Sequence, residues 1–370
     1  MIRAAFRVDA SLQIGAGHVM RCLTLAEKLR EDGFDCLFIC REHPGNLISE
    51  IAQRGFLVFG LPIIHSSENI DLFSMCDPHD YSEWLGVSVS NEISDTKAIL
   101  SSRRIDWLVV DHYALDIRWE AEMRYVCSKI IAIDDLANRT HDCDILLDQN
   151  LNRQNSDYIN YVNPSCRILT GSKYALIRTE FGDLRAESLN RRSVSRIEHL
   201  LITMGGVDRT NLTRLTLEAL GNSVLPKDLL VTVIMGWHSP WLADICSLSE
   251  RMEMNIRVES KVNNMAYLMA NSDVAIGGGG ATSWERCCLG LPSIICIQAE
   301  NQEHIARAID SAGAGKIFNP KEGVTAMVNL ISEVFCDVKG LRKMSLAAAA
   351  IIDGLGTMRV VNEMLEKQVN

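Results

Sequence analysis

The feature that most constrains this chain is an alternation of short apolar runs with amphipathic helical ones, carried through the sequence twice. Ile2–Val8 reads as a strand, and His18–Arg30 follows as a helix with Val19, Cys22, Leu23, Ala26 and Leu29 along one face. Cys36–Cys40 and Phe56–Phe59 are further strands around a helix near Gly45–Arg54. After a polar stretch from His65 to Ser90 come the strands Trp107–Val110, Lys129–Ile133 and Asp144–Leu147. Alternation of this kind means βαβ units and a mostly parallel sheet, with ligands at the strands' carboxyl ends.

The pattern then restarts. His199–Met204, Leu229–Met235, Ile256–Val258, Asp273–Ile276 and Ser293–Ile297 are strands, each followed by a helical segment. Phe181–Arg196, rich in charge and serine, is the expected linker. Leu341–Val369 reads as helix broken at Asp353-Gly354-Leu355-Gly356. A length of 370 residues is long for one core and comfortable for two. The expected architecture is α/β: two Rossmann-like, doubly wound parallel-sheet domains facing a cleft. They are placed at 1–185 and 197–340, with a helical segment at 341–370.

Composition narrows the function. Charged residues make up 23% and hydrophobic ones 47%, as in a globular protein, and no apolar run approaches the roughly 20 residues that span a bilayer. Met1-Ile2-Arg3-Ala4-Ala5-Phe6 has no signal-peptide pattern, so the cytoplasm is the expected location. A net charge of −10 disfavours nucleic-acid and anionic-membrane partners, and an anionic ligand must be held by local amides and helix ends. The twelve cysteines contain no Cys-x-x-Cys pair, and Cys287-Cys288 are adjacent in an apolar stretch, so buried free thiols are expected. No metal site and no cofactor is expected.

Three places combine chemistry with position. In Asp9-Ala10-Ser11-Leu12-Gln13-Ile14-Gly15-Ala16-Gly17-His18, a strand ends, a glycine loop follows and a helix begins. Gly15 and Gly17 let the backbone approach a ligand or take positive φ. The loop is no Walker A motif, and Met20 breaks the dinucleotide fingerprint. At the first helical turn the dipole disfavours imidazolium, which suits His18 to act as a general base; hydrogen bonding to a neighbouring loop is the plainer role. Asp9 is a carboxylate that can orient the ring, or a cap for the loop.

The second place is Val109-Val110-Asp111-His112-Tyr113 at a strand's end, where Tyr113 can meet a sugar or leaving oxygen while Asp111 and His112 fix the loop. Turn chemistry explains it equally well. Asp134-Asp135 after the next strand is read as a turn cap.

The third place is Gly277-Gly278-Gly279-Gly280-Ala281-Thr282-Ser283, between a strand and a helix, which builds an amide-lined phosphate cradle in preference to a packing turn. Ser283 offers a hydroxyl, Glu285 can accept from a ribose diol, and Gly205-Gly206 form a smaller cradle. Asn301 and Gln302 can donate to phosphate or sugar, while Asn301 can equally cap the helix.

In ordered succession these segments resemble the UDP-sugar hydrolases of pseudaminic acid synthesis. The resemblance runs through Phe6–Cys22, Val110–Tyr113, Asp134–Leu136, Cys143–Leu147, Tyr174–Phe181, Met204–Asp208 and Glu300–Gln302, from about Ile2 to about Gly315. It implies the two-domain GT-B fold of inverting nucleotide-sugar glycosyltransferases. It further implies UDP on the second domain, with Gly278, Gly279, Gly280 and Ser283 at the pyrophosphate, Glu285 at the ribose and Asn301 at the phosphates or sugar. His18 matches the family's base and Tyr113 a tyrosine at the sugar. The expected reaction is hydrolysis of UDP-2,4-diacetamido-2,4,6-trideoxy-β-L-altropyranose at C1 with inversion. Two alternatives use the same residues: an inverting UDP-sugar glycosyltransferase and a non-catalytic nucleotide-sugar-binding protein.

Overall fold

The computed structural model describes residues 1–63, 81–193, 196–206, 208–236 and 239–366, without the side chains of Glu300, Asn301 and Glu366. Most of the polar stretch after His65 lies outside these residues, as does Val207. The chain forms two compact units, Met1–Leu176 with Thr357–Asn370, and Ile177–Gly356.

The first unit runs β1 (Arg3–Val8), α1 (Gly17–Glu31), β2 (Asp35–Arg41), α2 (Ile48–Gln53), β3 (Leu57–Leu61), α3 (Val89–Leu100), β4 (Ile105–Asp111), α4 (Ile117–Met123), β5 (Cys127–Ile133), β6 (Ile145–Asp148) and β7 (Arg167–Thr170). Its seven strands lie in the order β3-β2-β1-β4-β5-β6-β7, and β1 pairs in parallel with both β2 and β4. The two-residue period sorts β1 between layers. Ala4, Phe6 and Val8 pack with Leu23, Ala26 and Leu29 of α1, whereas Ala5 joins Trp119 and Met123 of α4. Strand order reverses between β1 and β4, where Val8 stands level with Asp111. A crevice opens at such a point, because the crossover helices on its two sides leave for opposite faces.

The second unit runs α5 (Thr179–Arg191), β8 (His199–Thr203), α6 (Leu212–Gly221), β9 (Leu230–Met235), α7 (Leu242–Arg251), β10 (Asn255–Ser260), α8 (Met265–Asn271), β11 (Val274–Gly278), α9 (Thr282–Cys288), β12 (Ser293–Cys296), α10 (Glu300–Ser311), β13 (Lys316–Phe318), α11 (Gly323–Cys336) and α12 (Val338–Ile351). Its six strands lie in the order β10-β9-β8-β11-β12-β13. Its own reversal falls between β8 and β11, around a core of Leu200, Ile202, Val231, Val233, Val274 and Ile276.

The expected linker at Phe181–Arg196 is corrected: most of it is α5. Phe181 is buried, Ser188 Oγ donates to Leu289 O at 2.7 Å, and Arg191 meets Asp273 at 2.6 Å. Arg192 donates to Met269 O and Ser272 O at 2.8 and 2.7 Å, a cation at the carboxyl end of α8. Charge that resembles a solvated connector is spent on capping, and the chain crosses between units before α5.

The stretch Val338–Leu365 is, by length and composition alone, long and apolar enough to cross a membrane, contrary to the expectation that no apolar run approaches that length. It is broken after Ile351, as expected at Asp353-Gly354. Each piece, α12 with 14 residues and α13 (Gly356–Glu366) with 11, is shorter than the roughly 20 a bilayer requires. Val360, Val361 and Met364 of α13 complete the core of the first unit.

Candidate functional site

The loop after β1 folds on itself. Ser11 Oγ accepts from the amides of Gln13 and Ile14 at 3.0 and 2.9 Å, and Gly15 N donates to Ser11 O at 2.8 Å. Gly15 takes φ +83°, and a Cβ built on it or on Gly17 meets nothing within 4 Å. The two glycines therefore border open space instead of relieving a packing clash.

His18, on the first turn of α1, is 8% exposed. Its Nδ1 lies 2.7 Å from Asp111 Oδ1 at the end of β4. Asp111 is in turn clamped by Arg21, whose Nε reaches Oδ2 at 2.6 Å and Nη2 reaches Oδ1 at 2.7 Å. Burial alone would raise the Asp111 carboxyl, but Arg21 and His18 outweigh it and hold it well below the ordinary carboxylate range. Arg21 Nη2 also lies 3.2 Å from His18 Nδ1, and in the tautomer whose Nδ1–H donates to Asp111 the other ring nitrogen, Nε2, is an acceptor. Arg21 also reaches Asp135 Oδ2 at 3.0 Å.

The expectation that Asp9 orients the ring is corrected. Asp9 is 1% exposed and accepts from Arg7 at 2.6 and 2.9 Å and from Arg41 N at 2.7 Å. Arg7 and Arg41 share Glu92 of α3. The Asp9 carboxylate balances a fully buried arginine inside the sheet, and its Oδ2 also lies 3.3 Å from His112 Nε2.

Tyr113 is 6% exposed, and its ring meets His18 edge-on at 4.8 Å between centroids. Burial pushes its hydroxyl up, and the Asp135 carboxylate adds to this. Two aromatic residues that the sequence reading left unassigned join it: Trp84 stacks on Tyr113 at 5.2 Å and Tyr81 meets both. The only signal for them was a pair of aromatic residues in polar surroundings before Gly86.

In the second unit, Gly205 takes φ +94°, and a Cβ on Gly205 or Gly206 meets nothing within 4 Å. Asp208 caps α6 through Leu212 N and Thr213 N at 2.8 and 3.0 Å. The run Gly277–Gly280 divides in two. A Cβ on Gly277 would stand 2.6 Å from Thr203 O, and one on Gly278 2.9 Å from Gln298 Nε2, so these positions serve close packing. Gly279 N donates to Cys296 O and to Gln302 Oε1, each at 3.2 Å. At Gly280 the nearest atom is 3.9 Å away. The amides of Gly280, Ala281 and Thr282 find no protein acceptor among the described residues, as at any uncapped helix start. The part of the run with open space and unpaired amides among the described residues is thus its last part.

Two expected ligand contacts point inward. Ser283 is 1% exposed, with Oγ on Gly278 O at 3.4 Å and Arg286 Nη2 at 2.9 Å. Gln302 Oε1 also accepts from Gln298 N at 3.2 Å, so Gln302 pins the loop and keeps only Nε2 beside Gly280. Glu285 accepts from Arg178 at 3.0 and 3.2 Å. Burial pushes its carboxyl above the ordinary value although Arg178 opposes this. The Asn301 side chain lies outside the described residues.

Residues 199–353 match the model of the glycosyltransferase family 28 C-terminal domain. The chain is 27% identical to UDP-2,4-diacetamido-2,4,6-trideoxy-beta-L-altropyranose hydrolase of Campylobacter jejuni, over 84% of this chain and 97% of that one. It is 26% identical to an uncharacterised protein of Methanocaldococcus jannaschii over 81% of this chain, and spans 57% of that longer relative. Acinetobacter baumannii MurG superposes with a TM-score of 0.69 at 13% identity, covering 99% of this chain and 100% of MurG. The fold is therefore GT-B, with two parallel-sheet α/β units.

Proposed function

We propose that this chain hydrolyses a UDP-sugar, releasing UDP from UDP-2,4-diacetamido-2,4,6-trideoxy-β-L-altropyranose or a close relative. The observation that carries the reading is the 2.7 Å contact of His18 Nδ1 with Asp111, which leaves the other ring nitrogen as an acceptor at the β1/β4 switch point. His18 Nε2 takes a proton from water as the water oxygen bonds to C1. The C1–O bond breaks with its electron pair passing to the β-phosphate, UDP departs, and C1 is inverted. A diphosphate is a good leaving group, and free amides at Gly280–Thr282 with the dipole of α9 receive its charge. No general acid and no divalent metal are required by this scheme. The likeness to the Campylobacter hydrolase supports the sugar; the match to a glycosyltransferase domain supports the nucleotide half.

Incubation of the pure protein with the UDP-sugar in ¹⁸O-water tests the reading. The expected result is stoichiometric UDP with label at the sugar's C1 hydroxyl, insensitive to EDTA, and lost in His18→Asn while UDP still binds. UDP release only when an acceptor alcohol is added would make the protein a transferase. Binding without turnover would make it a sensor. Label in UDP would move attack to phosphorus.

A further inference from the structure

The aromatic residues beside His18 have no part in the proton transfer just described. Tyr81 and Trp84 lie 4.8 Å apart between ring centroids, Tyr81 and Tyr113 4.8 Å, and Trp84 and Tyr113 5.2 Å with 23° between their planes. Trp84 also faces His18 edge-on at 6.1 Å. The short turn Ser82–Leu85 that carries Trp84 is fixed from below by Leu85, which is 1% exposed. It is closed by Gly86 at φ +67°, where a Cβ would stand 2.9 Å from His43.

A cluster serving only to fill the core would bury all its rings. Here Tyr113 is buried, but Trp84 and Tyr81 remain half-buried, and Trp84 keeps this partial exposure with its ring 6.1 Å from that of His18. The ligand that such a surface recognises is a sugar face rich in C–H and methyl groups. We infer that Trp84 and Tyr81 form a subsite for the methyl-bearing face of the substrate sugar, and that they set a preference for deoxy, N-acetylated UDP-hexoses over those with a C6 hydroxyl. This rests on the proposed function, whose sugar has a C6 methyl and two acetamido methyls by its chemical name. A C6 hydroxyl placed against the faces of these rings loses water and finds no partner on them, which corresponds to a preference of roughly 10- to 100-fold.

The test compares wild type with Trp84→Ala, Trp84→Phe and Tyr81→Ala, with Tyr125→Ala as a control at the amino-terminal edge of β5. UDP release is measured from the diacetamido-trideoxy substrate and from UDP-N-acetylglucosamine, and UDP affinity by calorimetry. Expected in the alanine variants is a rise of about tenfold or more in KM for the trideoxy sugar. UDP affinity should stay unchanged and the preference between the two sugars should shrink, with Trp84→Phe retaining most of it. Parallel losses on both sugars, a fall in kcat alone, or no change would overturn the assignment. If wild type turns over neither sugar, the hydrolase reading fails, and the subsite is judged by saturation-transfer NMR on the bound trideoxy sugar. Saturation concentrated on the three methyls in wild type and lost in Trp84→Ala upholds it; uniform or absent saturation overturns it.

Discussion

Asp111→Asn changes one atom at the point where the structure concentrates the chemistry. In wild type, Oδ1 faces His18 Nδ1 at 2.7 Å and Arg21 Nη2 at 2.7 Å, while Oδ2 faces Arg21 Nε at 2.6 Å. An asparagine has one oxygen for these donors. If it faces Arg21 Nε, its NH₂ points at His18 Nδ1 and forces the proton to Nε2, which abolishes the base. If it faces His18, the NH₂ confronts Arg21 Nε, donor against donor. Each arrangement keeps one charge-assisted bond to Arg21 and sets the NH₂ against another of its donors, Nη2 in the first and Nε in the second, and both remove the carboxylate charge that holds the proton on Nδ1.

Imposing the wrong tautomer on a base histidine costs on the order of 10⁴ in kcat. Stability should fall by about 3 kcal/mol, the low end for breaking a buried pair, because Arg21 keeps Asp135 at 3.0 Å. The pH dependence has a definite sign. The folded carboxyl lies well below its unfolded value of about 3.9, so its contribution is fully present above that pH and is lost progressively as pH falls from there through the folded value. The gap between wild type and variant should therefore begin to narrow only below about pH 4 and keep narrowing as the pH falls further. The assays are steady-state UDP release, urea unfolding across pH, and calorimetry with UDP, whose affinity should be unchanged. A folded variant turning over within about threefold of wild type would refute the orienting role of Asp111, since even a modest general-base term exceeds that.

The glycine run gives a contrast within one loop. Gly277→Ala drives a Cβ to 2.6 Å from Thr203 O and should destabilise by about 1–3 kcal/mol in urea unfolding. Gly280→Ala meets nothing closer than 3.9 Å and should leave stability within about 0.5 kcal/mol. Its Cβ would stand in the open space beside the amides, and by holding a phosphate off them it should weaken UDP binding by about tenfold or more in calorimetry. Equal UDP affinity would remove the phosphate from this loop. Elsewhere, burial opposes a charged His141, but Asp134 and Glu120 prevail and push it up to about 9. A raised value stabilises below the unfolded value of about 6.5 and is lost as pH rises through 9, a change of about 3 kcal/mol. His141→Gln should flatten thermal stability over that window; an unchanged slope would place the alkaline loss elsewhere.

What the sequence made legible was whatever is local. Apolar periodicity located nearly every strand of both sheets, and His18 and the glycine loops stood out because strand, loop and helix start are contiguous. Asp111 was on the page as a strand-end residue, yet its partnership with His18 was not. The two are 93 residues apart and meet only because β4 crosses back to pair with β1, on the far side from β2. Asp9, nine positions before His18, looked the better partner until Arg7 on the buried strand claimed it. Side-chain direction was equally hidden: Ser283 and Gln302 have the right chemistry for phosphate, but Arg286 and the Gly279 amide hold them inward. Trp84 and Tyr81 have no periodic signal, since a short turn between polar residues has none to give. The two parallel sheets were thus foreseeable from periodicity, while the site depended on strand order. In a doubly wound sheet, the switch point brings together residues from strands separated in the chain, so the carboxylate that orients a base is best sought at the end of the strand that pairs beside it.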